Sequence, residues 1–335
     1  LPIHHAYEMS CTVMTSFYQG ATVVVCEGLK HIQSNFAEAE CSVMLGVPLI
    51  FENMHRKVWK QAEKSGALSK LQRGITLSKK MKFQNHPRAT RKMFQTIHKL
   101  FGKNHYMFIA GGAAIDPAVI DDFEAMGFPM FQGYGMTECS AIIAMNSDRY
   151  RKSAAAGKPL PGTEVRIVDE NEEGIGEIIA KGPSVMQGYY KDPENTAKTL
   201  RDGWLYTGDY GYFDEDGFLF LVDRKKDVVI SGGENIYPVQ IEDFLRRNDK
   251  IKDVAVIGIP DHRLGEITAA IIEVKDGMTC TEEEINAFCE ELPRYKRPKK
   301  IIFEKVPRNP TGKIEKPVLR AKYCKGRLVE SQITG

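Results

Sequence analysis

Four short stretches carry side chains suited to a phosphorylated ligand. FQGYGMTECS (131–140) follows a strand-like run and sets Gly133 and Gly135 on either side of Tyr134. Glycines there let backbone approach a ligand, while the ring offers a flat stacking face. Thr137 and Glu138 then supply a hydroxyl and a carboxylate, hard oxygen ligands suited to Mg2+ and its phosphates. The plainer reading of the same letters is a glycine-rich turn around a buried tyrosine. In GWLYTGDYGYFDEDGFLFLVDRKKD (203–227), Asp209 and Arg224 stand fifteen residues apart. A hairpin would bring them together, and a carboxylate beside a guanidinium could hold a diol such as a ribose. A structural ion pair competes with that reading. DVVISGGENIYP (227–238) puts Gly232 and Gly233 in a turn before Asn235, suited either to a bare turn or to close passage of a ligand. Finally, in PRNPTGKIEK (307–316), Pro310, Thr311 and Gly312 spell a tight turn, and Lys313 is the first residue free to point out of it. An isolated lysine of this kind is ordinarily a solvated surface group. No GxxxxGKS/T or GxGxxG loop occurs, and no Ser/His/Asp order can be assigned. Taken alone, His4 and His5 in LPIHHAYE read as core or surface histidines.

The elements that must position these residues change texture along the chain. Up to about residue 145, short apolar runs alternate with helical patterns. GATVVVC (20–26), SVMLG (42–46) and HYMFIAGG (105–112) read as strands. LKHIQSNFAEAE (29–40), Pro48 through Lys64, Arg88 to Phe101 and Pro117 to Met126 read as helices. Gly66 to Pro87 is basic and punctuated, with no assigned element. This βαβ rhythm predicts a mostly parallel sheet with helices on its faces. Residues 157–224 are rich in Gly, Pro and Asp around EVRIVD, GEIIAKG and GFLFLVD, which predicts hairpins and a small barrel or sheet. From about Lys225 a third texture begins. It holds a helix from Pro238 to about Arg247, strands at 254–259 and 267–274, a helix at 281–292, a strand near KIIFEKV and a last helix from Pro317. That is the pattern of a separate α+β domain.

At 335 residues, 42% hydrophobic and 27% charged, the composition is that of a globular protein of two or three packed units. No apolar run approaches the ~18–20 residues that cross a bilayer. No signal-peptide pattern is visible, and the chain opens at Leu1 without an initiator methionine. Seven cysteines, odd in number, scattered and without a CxxC, point to reduced thiols in a cytosol rather than to disulfides or a zinc site. Net charge is only +2, yet residues 56–103 carry fourteen Lys/Arg against Glu63 alone. Residues 294–327 carry thirteen against Glu304 and Glu315. Such segments attract phosphates or anionic lipid, or are simply solvated helix faces. Nucleic acid is disfavoured, because no zinc-finger spacing or aromatic RNA-binding signature accompanies the charge.

Read together and in order, GYGMTE, YTGD, DRKKDVVISGGENIYPVQIE and NPTGK resemble the adenylate-forming superfamily of acyl-CoA synthetases, luciferases and adenylation domains. The resemblance covers essentially the whole chain. Within the superfamily, LPIHHAYE, the VMLGVPLIFENM run and the basic 56–103 segment most resemble bacterial long-chain fatty-acid–CoA ligases.

The resemblance implies an α/β fold in which residues 1–150 are the remainder of a large N-terminal domain binding ATP and the acyl group. Residues 151–225 would be a β-barrel-like subdomain, and 226–335 a mobile α+β C-terminal domain. Gly111, Gly112 and Ala113 with Tyr134 would line the adenine site, beside Gln132, in a nucleotide-binding run continuing through Gly133, Gly135 and Met136. Thr137 would touch the α-phosphate and Glu138 would bind Mg2+. Asp209 would hold the ribose hydroxyls, with Arg224 alongside. His5 would sit at the mouth of the acyl pocket. Lys226 would be the hinge, and Gly232 and Gly233 would open a path for the pantetheine of CoA. Lys313 would bridge the attacking carboxylate and the ATP phosphates. Asp223 stands where the family more often has glycine, a variation that luciferases share. The family's Ser/Thr/Gly-rich phosphate loop belongs upstream of LPIHH, so the expectation is a C-terminal piece of a longer enzyme.

The implied activity is AMP-forming acid–CoA ligation with fatty acid, ATP, Mg2+ and CoA, in the cytoplasm. Peripheral contact with the inner membrane surface through 56–103 is left open. The alternatives are a ligase for an aryl or short-chain acid and a nucleotide-binding remnant without turnover.

Overall fold

The computed structural model describes residues 1–82, 87–102, 104–309 and 313–324. They form two compact units: Leu1–Val168, Ile179–Thr207 and Phe213–Phe220 in the first, and Asp169–Ile178, Gly208–Tyr212 and the described residues from Leu221 onward in the second.

The first unit is built on β1 (Val43–Gly46), β2 (Met107–Ala110), β3 (Met130–Tyr134), β4 (Ala144–Met145) and β5 (Lys158–Pro159), hydrogen-bonded in that order. β1, β2 and β3 run parallel, while β4 and β5 turn back antiparallel. Helices α1 (Pro48–Lys64), α2 (Leu68–Lys80) and α3 (Pro117–Ala125) pack beside them. Proline opens both α1 and α3, where its missing N–H costs no hydrogen bond, and the Asp116 carboxylate accepts from Ala118 N at 2.8 Å to cap α3. The core is built of phenylalanine and methionine: Phe51, Phe108, Phe123, Phe128, Met126 and Met130 are fully buried. His105 sits among Phe36, Phe101, Phe108 and Phe128, its ring 4.2 Å from that of Phe108.

Two expectations here need correcting. GATVVVC (20–26) is not a strand; it has no ladder partner, and Val25 is 81% exposed. A β-branched run becomes a strand only beside another strand. Gly66 to Pro87, left unassigned, contains α2, whose Leu71 and Ile75 are buried. Gly74 does not break that helix; a Cβ there would press on the Phe94 ring at 3.2 Å, so the position is kept bare for packing.

β6 (Glu164–Val168), β7 (Gly176–Lys181), β8 (Leu200–Arg201), β9 (Trp204–Phe213) and β10 (Leu219–Arg224) form a second sheet, ordered β10-β9-β7-β6 with β8 on β9. This is the small sheet expected for the Gly/Pro/Asp-rich segment.

The second unit holds a sheet ordered β12-β11-β14-β13, from β11 (Val229–Ser231), β12 (Glu234–Ile236), β13 (Ile251–Asp261) and β14 (Gly265–Val274), with β15 (Lys300–Phe303) parallel to β14. Val254, Val256, Ala270 and Ile272 pack against α4 (Pro238–Leu245) and α5 (Glu282–Phe288). α5 starts with a complete capping box between Thr281 and Glu284. Ala255, Ile257 and Ile271, on the opposite face, meet Leu319 of α6 (Lys316–Tyr323). Among the described residues no helix is long and apolar enough to cross a membrane.

Candidate active site

In the first unit the expected residues gather at one edge. Gly46 and Ala110, the last residues of β1 and β2, are in register with Gln132 of β3, so β3 runs on past the ends of its two parallel neighbours. Crevices at the carboxyl ends of parallel strands are where open α/β sheets take ligands. Gly111 leaves room for the Tyr7 ring, which a Cβ 2.8 Å away would force to shift. Tyr7 is buried, and its hydroxyl donates to the Ile109 carbonyl at 3.3 Å, fastening the N-terminal segment to β2. That brings in His5, whose Nδ1 accepts from Tyr7 N at 3.2 Å while the ring stays exposed. Gly112 takes a left-handed φ of +86°, and Ala113 is exposed.

The turn after β3 is tighter. A Cβ on Gly135 would fall 1.9 Å from the Ala141 carbonyl oxygen, which excludes any other residue. Met136 is extended, Thr137–Cys139 form a 3-10 turn, and Ser140 and Ala141 both take positive φ, 55° and 96°. Two consecutive non-glycine residues in that region store strain, a recurring mark of functional loops. The turn leaves the Thr137 side chain exposed and Glu138 half-buried. Tyr134 is buried. Gln132 gives its amide group to the carbonyls of Ser153 and Ala155 at 2.8 and 2.9 Å, so it ties β3 to the 153–155 loop.

Tyr189 escaped the sequence reading. Its hydroxyl donates to Glu138 Oε1 at 2.8 Å, while Met186 N donates to the Glu138 carbonyl at 2.7 Å. Burial, then the bond to Glu138, push the Tyr189 phenol up from its ordinary range, so it stays a proton donor. Only one oxygen of Glu138 is engaged in this way. Mg2+ typically takes one or two carboxylates and completes its shell with water and substrate phosphates, and Glu138 fits that pattern. Among the described residues no group of three or more His, Cys, Asp or Glu converges as an all-protein metal cage.

The second unit brings together three residues far apart in sequence. Asp209 on β9 and Arg224 at the end of β10 come within 3.8 Å, Oδ1 to Nε. This spacing is long for a hydrogen bond, and Arg224 is 55% exposed, so the guanidinium remains available. Lys313 lies near both: burial first, then repulsion from Arg224, hold its ammonium below the ordinary lysine range, and Asp209 opposes them. The ends of the Lys313 turn are fixed by Lys313 N donating to Asn309 Oδ1 and Asn309 N donating to the Lys313 carbonyl, both at 2.9 Å. Arg308 is held in turn by Asp253, with Nε to Oδ2 at 2.6 Å and Nη2 to Oδ1 at 2.8 Å. Pro310, Thr311 and Gly312, expected to stiffen the turn, lie outside the described residues.

Glu177 was also missed. Nearly buried on β7, it accepts from Gly208 N at 3.1 Å and from Lys225 Nζ at 2.7 Å, gripping the chain next to Asp209 and next to Arg224. Neither Tyr189 nor Glu177 carries a local signature, so no short-range pattern announces them. Exposed Lys226 sits between two tied neighbours: Lys225 on Glu177, and Asp227 on Arg320 at 2.6 Å. Gly232 and Gly233, with φ of +61° and +92°, form the two-residue turn of the β11–β12 hairpin, which requires positive φ twice. Asp223 is buried; its Oδ1 accepts from Arg224 N at 2.8 Å and its Oδ2 from Val239 N at 2.9 Å. It thereby satisfies an orphan donor in the first turn of α4.

The chain is 42% identical over 216 residues to a 2-succinylbenzoate–CoA ligase of Geobacillus sp. (strain WCH70), covering 62% of this chain and 44% of that protein. It is 42% identical over 224 residues to the long-chain-fatty-acid–CoA ligase FadD13 of Mycobacterium tuberculosis (strain ATCC 25618 / H37Rv), covering 64% of this chain and 44% of the relative. The chain thus spans less than half the length of these relatives. Among solved structures, ATP-bound MatB from Rhodopseudomonas palustris superposes with a TM-score of 0.78 at 28% identity, over 97% of this chain and 59% of that one. Residues 1–190 match the family model of the AMP-binding enzymes and residues 240–313 match the model of the AMP-binding enzyme C-terminal domain, and the chain belongs to that family.

Proposed function

We propose that the chain takes part in AMP-forming acid–CoA ligation: a carboxylate and ATP give an acyl-adenylate and pyrophosphate, and CoA then displaces AMP. The observation that carries this reading is the meeting of Asp209, Arg224 and Lys313 in one unit. In this reading Asp209 holds the ribose hydroxyls, with the half-free Arg224 beside it. Tyr134 and the 111–113 segment take the adenine, flanked by Gln132, Gly133, Gly135 and Met136. Thr137 donates to the α-phosphate, and His5 stands at the mouth of the acyl pocket. Glu138, oriented by Tyr189, holds Mg2+, which when bound offsets phosphate charge. Lys313 places an ammonium where negative charge grows on phosphorus. A partly desolvated cation stabilises that growing charge more than it stabilises the bound substrate.

Lys226 is the proposed pivot that exchanges Lys313 for Gly232 and Gly233 at the reacting atoms, within the proposed division 1–150, 151–225 and 226–335. The basic C-terminal third suits the phosphates of CoA.

A long-chain fatty acid is the preferred substrate class on the LPIHHAYE and VMLGVPLIFENM resemblance. An aryl acid is the second reading, because the 2-succinylbenzoate ligase matches as well as FadD13 does. The test is ATP–pyrophosphate exchange with palmitate, acetate, benzoate and 2-succinylbenzoate, run on this chain and on any longer product of the same gene, each beside Lys313→Ala. Acid-dependent exchange that falls about a hundred- to thousand-fold in the variant is the expected result. AMP binding without exchange for any acid would instead favour a nucleotide-binding protein without turnover.

A further inference from the structure

We propose that the outer sides of α1 and α2 dock the protein on an anionic membrane surface. On α2, Lys70, Arg73, Leu77 and Lys80 are all exposed and spaced to share one side, and exposed Met81 follows at its end. Leu77 and Met81 are 47% and 54% exposed, set among the cations. α1 exposes Arg56, Lys57, Lys60 and Lys64. Both helices bury their other side in one core, through Phe51 and Val58 on α1 and Leu71 and Ile75 on α2, so both basic sides face away from it. Among the described residues, Arg56, Lys60, Lys70, Arg73 and Lys80 form no ion pair, whereas neighbouring Lys79 is bound to Asp122 at 2.8 Å.

A face kept only for solubility mixes charge signs. Among the exposed residues of α1 and α2, Glu63 is the single acid against eight cations. A nucleic-acid backbone would satisfy the cations but gains nothing from two exposed aliphatic side chains between them. A lipid headgroup layer takes both: its phosphates meet the cations, and Leu77 and Met81 reach the acyl boundary. The docking needs no nucleotide and does not depend on the ligase reading.

The test is co-sedimentation of the protein with vesicles of phosphatidylcholine alone or mixed with phosphatidylglycerol, at low and high salt, with a DNA duplex as second probe. Binding is expected only to the anionic vesicles and should weaken with salt. Each of Lys70→Gln, Arg73→Gln and Lys80→Gln should lower the partition coefficient about five-fold, and the triple variant about a hundred-fold. Leu77→Ser with Met81→Ser should weaken vesicle binding and leave any DNA binding unchanged. Lys299→Gln with Lys300→Gln, exposed in the second unit, should change neither. Circular dichroism of every variant checks that it folds, which exposure of these side chains favours. No vesicle binding, equal binding to neutral vesicles, or indifference to the Leu77/Met81 pair would overturn the proposal.

Discussion

Asp223 offers a pH experiment whose size can be worked out beforehand. Its carboxyl is buried, and burial pushes its pKa up to about 6 from the ordinary 3.8; Glu242 adds to the rise, while Lys316 and the bonds from Val239 N and Arg224 N oppose it. A raised folded pKa means that the folded state keeps a proton the unfolded chain releases. The group's contribution to stability is therefore fully present below pH 3.8 and lost as pH rises through 6. At ~1.36 kcal/mol per unit, the loss reaches about 3 kcal/mol at pH 7, roughly 2.5 of it between pH 4 and 7. Asp223→Asn removes the titration but leaves one amide oxygen to accept from two backbone N–H groups, a constant cost of about 1 kcal/mol. The variant should be slightly less stable than the parent at pH 4, equal near about pH 4.5 and more stable by about 2 kcal/mol at pH 7. Trp59 and Trp204 both belong to the first unit, so tryptophan fluorescence does not follow this group. Amide hydrogen exchange in β13 and β14, corrected for intrinsic rates, does. A difference between variant and parent that stays flat from pH 4 to 7 would refute the reasoning.

The first unit should respond to acid in the opposite direction. His105 is buried with both ring nitrogens unpartnered, and burial, then His98 and Arg91, push its pKa down to about 3. Its stabilising contribution is full above pH 6.5 and is lost as pH falls toward 3. About 2 kcal/mol should go by pH 5, and His105→Leu should remove that acid limb from exchange in β2 and β3. Tyr189→Phe keeps the ring but frees Glu138; the Mg2+ concentration needed for half-maximal exchange should rise about ten-fold, with thermal stability changed by less than about 1 kcal/mol. Gly135→Ala should be the most damaging small substitution, since its Cβ meets backbone at 1.9 Å; loss of soluble protein or several kcal/mol of stability is expected in a melt.

What the sequence made legible was local. Pro48 marked the start of α1 and the basic Lys64 its end, as proline at a first turn and a cation at a last turn should. GYGMTE was readable because glycine is forced where backbone must pass backbone, as at Gly135, and YTGD because Gly208 takes a left-handed φ of +69°. The run 20–26 misled because β propensity counts only beside a partner strand. α2 was hidden by Gly74, whose reason is the Phe94 ring twenty residues away. Tyr189 and Glu177 could not be found by any short window, because each matters through a partner 51 or 31 residues distant.

The grip of Glu177 has a consequence for how this region tolerates change. Asp209 and Arg224 stand 3.8 Å apart with the guanidinium largely in solvent, too weak a pair to set its own spacing. Glu177, bonded to Gly208 N and to Lys225 Nζ, sets it for them. In a mutational scan scored separately for abundance and for activity, substitutions at Arg224 should leave abundance nearly untouched. Substitutions at Glu177 should depress both scores together. One buried carboxylate thus carries the cost of misfolding, and its exposed neighbour is left open to selection on chemistry alone.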